Sequence, residues 1–389
     1  MSEQRRARLV SRHLLDGSGT TALEATRAVV VLHATDPATV FLSVLARCSG
    51  LTPADVAREL YDERTLVRMM AMRRTLFVAP LDLAPVVHHA ASVDVAATIR
   101  KRLLKELATG PTDPPLPSDL DAVAAWLEEA EGAVEACVAA GGPLSGSRIG
   151  EAVPALRTAL LPRTTKGYDV RRTVTTQVLT LMGAGGRLVR GRPLGAWTSR
   201  QHTWEAAAAW WPDGMPAIDR EDARARLVEH YLRAFGPATE TDVAWWTGWP
   251  LGVTRKALAA LDTADHDGGL VLADDTDPLA VPEPRAALLP ALDPTPMGWK
   301  QREWFLPADP TGLYDAYGNV GPTVWWGGEV VGAWSVRKDG TVTTRLLVDR
   351  GREVAAAVEA AALRLGDRLG GVVVVPSFRT PLERELSGG

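Results

Sequence analysis

Two stretches of the sequence repeat one order of elements, three helices followed by two short strands. In the first stretch a long helix ends at Gly141-Gly142, Ser145 or Ser147 can cap a short second helix, and a third helix ends at a glycine-rich turn. Two short strands follow around residues 190–193. This order predicts a winged helix-turn-helix, in which one helix enters the major groove of DNA and the hairpin lies along the backbone.

The same order returns between residues 213 and 293. One helix ends at Gly236-Pro237, and Thr239 or Thr241 can cap the next. The hairpin that follows carries three carboxylates, which would repel phosphate: Asp274, Asp275 and Asp277. We therefore expect this repeat to be a structural or protein-facing winged helix.

The N-terminal unit is predicted as helix, strand, helix, strand. An apolar helix is predicted over residues 20–34, which include His33. The Asp36-Pro37 pair stops it and makes a corner of the chain. The apolar run 39–48 is predicted as a strand. A second helix starts at Thr52-Pro53-Ala54-Asp55, with a capping threonine and a proline at the first helical position, and residues 73–80 form the second strand.

The C-terminal part of the chain has a different pattern. Alternating apolar residues from 323 to 349, with turns at Gly327-Gly328 and at 338–340, predict an antiparallel meander. A helix and a buried strand at 371–378 complete this part. The predicted fold class is therefore α+β, with tandem winged helix-turn-helix domains followed by a C-terminal α+β domain that contains an antiparallel sheet.

Composition shifts divide the chain into four predicted domains. A segment rich in proline and threonine, 109–119, is typical of a linker. Residues 1–110 form a first winged-helix domain with the candidate catalytic corner, and 118–212 a second, basic one. Residues 213–293 form a third, acidic winged-helix domain, and 294–389 the C-terminal α+β domain.

The positive and negative charges are unevenly distributed along the chain, so the net charge alone is misleading. A formal net charge of −4 argues against nucleic-acid binding when it is taken alone. Between residues 148 and 200, however, ten basic residues face only two acids, whereas from 213 to 293 fifteen acids face seven bases. Arginines on the candidate recognition element and on the hairpin are predicted to contact DNA, with an ordinary solvated surface as the alternative. They are Arg171, Arg172, Arg187, Arg190, Arg192 and Arg200.

Several function classes lack their signatures. The sequence has no HExxH, Walker, CxxC or GxSxG motif. Its two cysteines, Cys48 and Cys137, are too few for a disulfide framework or a cysteine-built metal site. The N-terminus has no apolar signal-peptide core, and no apolar run approaches the ~20 residues that span a bilayer. We expect a cytoplasmic protein without a metal or a redox cofactor.

Four segments together resemble the winged-helix proteins related to the AlkZ and YcaQ DNA glycosylases, and the resemblance covers nearly the whole chain. They are LVRMMAMRRTLFVAP, WWTGWPLGVTRKAL, LLPALDPTPMGWKQREWF and SFRTPLERELSG. The resemblance implies tandem winged helices around a DNA channel, with double-stranded, damaged DNA as the partner. It also implies excision of bulky alkylated purines or unhooking of crosslinks.

The family's catalytic motif, Gln-x-Gln or Gln-x-Asp, corresponds to His33-Ala34-Thr35 in this sequence. The resemblance therefore assigns His33 and Thr35 as candidate catalytic residues. Neutral His33, with an ordinary pKa near ~6.5, can accept a proton from water, and the Thr35 hydroxyl can hold that water. Threonine supplies neither a carboxylate nor a carboxamide, and Thr35 can instead cap the helix that follows Pro37.

Two other interpretations remain open from the residues. The protein can be a binding module that shields damaged DNA or regulates transcription without chemistry. Alternatively, the winged helices can serve protein contacts only, in keeping with the acidic net charge.

Overall fold

The N-terminal unit combines short helices with a small antiparallel sheet. The computed structural model describes residues 3–164, 166–167 and 170–388. The sheet has the strand order β1-β3-β2. Its strands are β1 (Leu32–His33), β2 (Leu66–Met70) and β3 (Leu76–Pro80). The helices are α1 (Glu3–Arg12), α2 (Ala22–Ala28), α3 (Pro37–Arg47), α4 (Pro53–Tyr61), α5 (Ala84–Val87) and α6 (Val93–Thr109).

Two predictions for this unit are wrong in their local structure. The run 39–48 is helical rather than extended, because Asp36 caps α3 and Pro37 occupies its first turn. Nearly all of α3 is buried, so its sequence shows a continuous apolar run without a helical period. The helix before the corner ends at Ala28, and His33 lies in a strand.

The second unit has the predicted order of three helices and a hairpin. Its helices are α7 (Leu120–Gly141), α8 (Gly146–Ala152) and α9 (Thr175–Ala184). One sheet has the order β5-β9-β8 and a smaller one the order β4-β6-β7. These strands are β4 (Thr112–Asp113), β5 (Leu144–Ser145), β6 (Ala159–Leu160), β7 (Arg172–Thr173), β8 (Leu188–Pro193) and β9 (His202–Ala206). The side chain of Ser145, not that of Ser147, caps α8.

The second unit has a hydrophobic core of its own. Val178 of α9 and Trp204 of β9 pack in it, and so do Leu103 and Leu107 of α6. The long helix α6 therefore connects the N-terminal sheet to the basic unit as a packed element.

The third unit repeats the same order, and the acidic segment that follows its hairpin contacts the first unit. Its elements are α10 (Arg220–Phe235), α11 (Glu240–Thr247), α12 (Leu251–Leu258), β10 (Thr263–His266) and β11 (Gly269–Leu272). Thr239 caps α11 in a reciprocal capping box with Asp242. The carboxylate of Asp275 accepts from Arg12 of α1 at 2.6 Å. The segment after β11 thus contacts protein through Asp275, and a structural role for this unit stays a prediction.

The C-terminal domain contains a four-stranded antiparallel sheet in the order β12-β13-β14-β15. Its elements are β12 (Ala286–Leu289), β13 (Thr323–Trp326), β14 (Glu329–Val336), β15 (Val342–Leu346), α13 (Arg352–Leu369) and α14 (Pro381–Ser387). The predicted α+β class with antiparallel sheets is confirmed. The buried strand predicted at 371–378 is wrong, since this segment has no strand partner and Val373 and Val375 are 37% and 52% exposed.

A buried polar network joins α3 to the turn that follows β12. Arg47 and Asp293 are both fully buried and form two hydrogen bonds of 2.8 Å. Arg47 also donates to Oγ1 of Thr295 at 2.7 Å, and Nδ1 of His13 lies 2.9 Å from the same oxygen. The network therefore connects α1, α3 and the start of the C-terminal domain in one interior. Among the described residues, no helix combines the length and apolar character that a membrane span needs.

Candidate functional site

His33 lies on the edge strand β1 and faces the interior of the N-terminal sheet. It is paired with Phe77 of β3, and the two rings meet edge to face with 5.1 Å between their centroids. The side chain is 6% exposed, and its Nδ1 has no hydrogen-bond partner in the described part of the chain. The strand pairing and the Phe77 ring therefore hold the imidazole in place, and its buried Nδ1 has no partner among the described residues.

Burial changes the acid–base character of His33. Desolvation, followed by the nearby positive charge of Arg73, lowers the pKa of His33 to about 3. The ring is therefore neutral at pH 7, as the sequence predicts. It is, however, a much weaker base than the ordinary value near ~6.5 implied, because burial disfavours the imidazolium form.

The hydroxyl of Thr35 neither caps α3 nor forms a hydrogen bond with another described residue. Asp36, not Thr35, caps α3: its Oδ1 accepts from the backbone N–H of Ala38 at 3.2 Å. Oγ1 of Thr35 is buried and has no protein partner among the described residues. A buried polar atom without a partner costs about 1–3 kcal/mol. Two such atoms within the segment 33–35 indicate a place where a ligand or water completes the hydrogen bonding.

Arg68 holds the peptide between these two residues. Its guanidinium donates to the backbone carbonyl of Ala34 at 2.6 Å from β2, the strand on the other side of β3. Burial lowers the pKa of Arg68, and none of the described carboxylates forms an ion pair with it. The sequence analysis missed Arg68. A single arginine inside the apolar strand LVRMM was the available signal, because a buried charge is rare unless it has a specific partner.

The corner adjoins the basic second unit through a chain of hydrogen bonds. Oδ2 of Asp36 accepts from the backbone N–H of Ser377 at 2.7 Å. Oγ of Ser377 in turn accepts from the guanidinium of Arg200 at 2.8 Å. Arg68 of β2 and Arg190 of β8 also line one small cavity. The histidine corner and two of the predicted DNA-binding arginines are thus brought together.

The other four predicted arginines form ion pairs in the free protein. Arg171 pairs with Asp113 at 3.1 Å, Arg192 with Asp62 at 2.5 Å, Arg172 with Glu106, and Arg187 with both Glu131 and Glu135 at 2.6 Å. The exposed pairs Arg171–Asp113 and Arg192–Asp62 stabilise by only about 0–1 kcal/mol, whereas Glu131 of the Arg187 pair is buried. The carboxylates in these pairs nevertheless reduce the net positive charge that the sequence predicts for the surface of the second unit.

Arg190 and Arg200 line a cleft of the second unit. This cleft has a volume of about 660 Å³ and also contains Arg157. The guanidinium of Arg190 lies 4.5 Å above the ring of Trp204, and its Nη1 is 2.7 Å from Nε2 of His202. Burial, followed by the charge of Arg68, lowers the pKa of Arg190 to about 9. The guanidinium remains largely protonated at pH 7, so the cleft is cationic.

The tip of the β2–β3 hairpin adds two arginines that the sequence analysis missed. Arg73 and Arg74 are exposed and have φ angles of 55° and 57°. Residues other than glycine rarely adopt this left-handed conformation, and strained backbone of this kind is concentrated at functional sites. The guanidinium of Arg73 lies 4.9 Å above the ring of Trp245. The Arg-Arg pair at the start of the predicted strand 73–80 was the signal in the sequence, and the structure places it in the turn before β3.

Comparisons with known proteins bear on this arrangement. A model of the family described as DNA glycosylase AlkZ-like matches residues 26–370. The solved structure of Streptomyces sahachiroi DNA glycosylase AlkZ is similar, with a TM-score of 0.68 and 21% sequence identity, over 96% of this chain and 98% of that one. That likeness shows a shared fold. No curated protein sequence matches this one.

Proposed function

Because the chain belongs to the AlkZ-like DNA glycosylase family, we propose that it hydrolyses the N-glycosidic bond of bulky N7- or N3-alkylated purines in duplex DNA. The observation that carries this proposal is the pair of buried atoms without protein partners, Nδ1 of His33 and Oγ1 of Thr35, at the motif position. Their closeness to the cationic cleft of Arg190 and Arg200 supports DNA as the substrate.

The proposed chemistry requires little help from the protein. Alkylation at N7 or N3 makes the purine cationic, so its departure with the electron pair of the C1′–N bond gives a neutral base. The sugar passes through an oxocarbenium-like state, as it does in glycoside hydrolysis. Nδ1 of His33 and the Thr35 hydroxyl then hold the water whose oxygen bonds to C1′, and the water's proton leaves to solvent. His33 acts here as a neutral hydrogen-bond acceptor that orients water.

Arg68 contributes to this site by position. Its hydrogen bond to the carbonyl of Ala34 fixes the peptide that joins His33 to Thr35. Orienting a nucleophile in this way lowers the barrier because its freedom of motion is lost before the reaction begins.

A second candidate function has an observation of its own. Thr35 replaces the carboxylate or carboxamide of the family's motif, and His33 is only 6% exposed. A protein with these features can bind damaged DNA through the same cleft and protect it, or act in regulation, without releasing a base.

Base release from a duplex that contains one N7-alkylguanine tests the proposal. With the protein in excess over DNA, we expect release of the free purine and an abasic site that alkali cleaves. The same duplex with unmodified guanine should remain intact. Binding of the alkylated duplex without release over hours would replace this function by the second one. Negligible binding to either duplex at low salt would favour protein contacts instead.

The pH dependence of base release should show no inflection from His33. The folded-state pKa of His33 is about 3, so the ring stays neutral throughout the range from about pH 5 to 8. Under subsaturating conditions the rate reports the ionisations of the free enzyme. We therefore expect a flat profile across this range. A fall in rate on acidification through about pH 6.5 would show that His33 titrates near its ordinary value and acts as a general base.

A further inference from the structure

Helix α9 of the second unit lies between two separate clefts. Thr176 and Thr180 line both the cleft of about 660 Å³ that contains Arg190 and a second cleft of about 340 Å³. Thr176 is exposed, and α9 carries no charged residue along its sequence TTQVLTLMGA. The helix therefore presents a neutral ridge of hydroxyl groups with an opening on either side.

The first cleft is cationic. Arg157 and Arg200 are exposed and Arg190 is half-buried, and all three line it. Its carboxylate is Glu151, which is 3.5 Å from Arg148. Arg157 donates to the backbone carbonyl of Glu151 at 2.6 Å rather than to an acid. This side of α9 thus keeps an excess of positive charge.

The second cleft is shared with the first unit. Arg74 comes from the tip of the β2–β3 hairpin, Arg102 from α6 and Arg172 from β7. Glu106 in the same cleft forms an ion pair with Arg172. Arg74 and Arg102 are exposed, and neither forms an ion pair with any carboxylate in the described ranges. Two uncompensated cations therefore face solvent on this side of α9.

The spacing suits a DNA duplex. An α-helix with its side chains is about 10–12 Å across. The major groove of B-DNA is about 12 Å wide. Cations on the two sides of one helix in that groove are therefore placed to meet the phosphates on its two rims. A single strand has only one backbone and can fill one cleft at a time.

We propose that duplex DNA lies across α9, with one phosphate backbone in the cleft of Arg190 and Arg200 and the other against Arg74 and Arg102. This inference deepens the proposed function and rests on its DNA-binding part. It also assigns a role to the first unit in holding DNA, because Arg74 lies in the hairpin whose strand β3 pairs with His33. The DNA strand bound by Arg74 and Arg102 would pass beside strands β1 and β3, which position His33.

The test measures the dependence of affinity on salt for undamaged duplex and for one of its strands. Two variants each remove one pair of cations, Arg190→Gln with Arg200→Gln, and Arg74→Gln with Arg102→Gln. The slope of log Kd against log salt changes by about 0.9 for each phosphate contact on duplex DNA. We expect each variant to lose about two contacts on duplex, and the combined variant about four. On the single strand, only one pair should matter.

Arg352→Gln is the matched control, because Arg352 is an exposed arginine at the start of α13 in the C-terminal domain. It removes the same charge and should leave the slope unchanged. A slope for Arg74→Gln with Arg102→Gln equal to that of the control would overturn the inference. Equal losses by both pairs on the single strand would also overturn it, since the clefts would then form one continuous track. Arg200→Gln and Arg102→Gln alone, both at exposed positions, repeat the comparison if a double variant is unstable.

The readout separates this inference from the proposed chemistry. Undamaged DNA is used and no base release is measured, so a protein that shows the two-cleft pattern without glycosylase activity would retain the inference and lose the proposed reaction. Base release that is unchanged in the variant Arg74→Gln with Arg102→Gln would retain the proposed reaction and count against the two-cleft inference.

Discussion

His33→Ala should lower the single-turnover rate of base release by about 100-fold, because the attacking water loses the acceptor that orients it. The substitution removes Nδ1, the buried nitrogen that has no protein partner in the described structure and that we propose as an acceptor for the attacking water. Affinity for the duplex should change little, since the proposed phosphate contacts lie on other side chains. Quantifying released purine and Kd on the same preparation distinguishes loss of chemistry from loss of binding.

Two further variants refine this result. His33→Gln restores a hydrogen-bonding group of the type found in the family's motif and should recover a large part of the rate. Thr35→Val keeps the shape of the side chain, removes the hydroxyl, and should cost about tenfold, the equivalent of one hydrogen bond. Unchanged rates in both His33→Ala and Thr35→Val would remove the corner from the mechanism. A rate that follows thermal stability across the three variants would assign His33 a packing role.

Asp293→Ala should reduce the free energy of unfolding by about 3–5 kcal/mol. The substitution leaves Arg47 charged and fully buried, with only the oxygens of Ser43 and Thr295 as partners. Breaking a buried pair is costly because the remaining charge has lost its water without gaining a counter-charge. Urea unfolding followed by tryptophan fluorescence measures the change.

The double variant Arg47→Met with Asp293→Leu should recover much of that loss, because it removes both charges together. The exposed pair Arg345–Glu385, with side chains 41% and 60% exposed, is the control, and Glu385→Ala should leave the free energy of unfolding nearly unchanged. Equal effects of Asp293→Ala and Glu385→Ala would show that the buried network does not stabilise the junction between α3 and the C-terminal domain. Since Asp36 caps the same helix, loosening α3 should also impair base release.

Local signals determined much of the fold from the sequence. The helix start at Thr52-Pro53 is present because capping and the fixed φ of proline act within one turn. The meander of β13, β14 and β15 is present because alternation and tight turns are also local. The family was equally accessible, since the segments that carry the resemblance are contiguous in the chain.

Long-range contacts decided what the sequence could not. Residues 39–48 read as a strand because α3 is buried on every side, and that burial is supplied by distant elements. The pKa of His33 depends on its pairing with β3, and the offset charge of Arg192 depends on Asp62 in another unit. Sequence patterns record which residues are apolar or charged, whereas solvent exposure and charge pairing arise only when segments far apart in the chain meet in space.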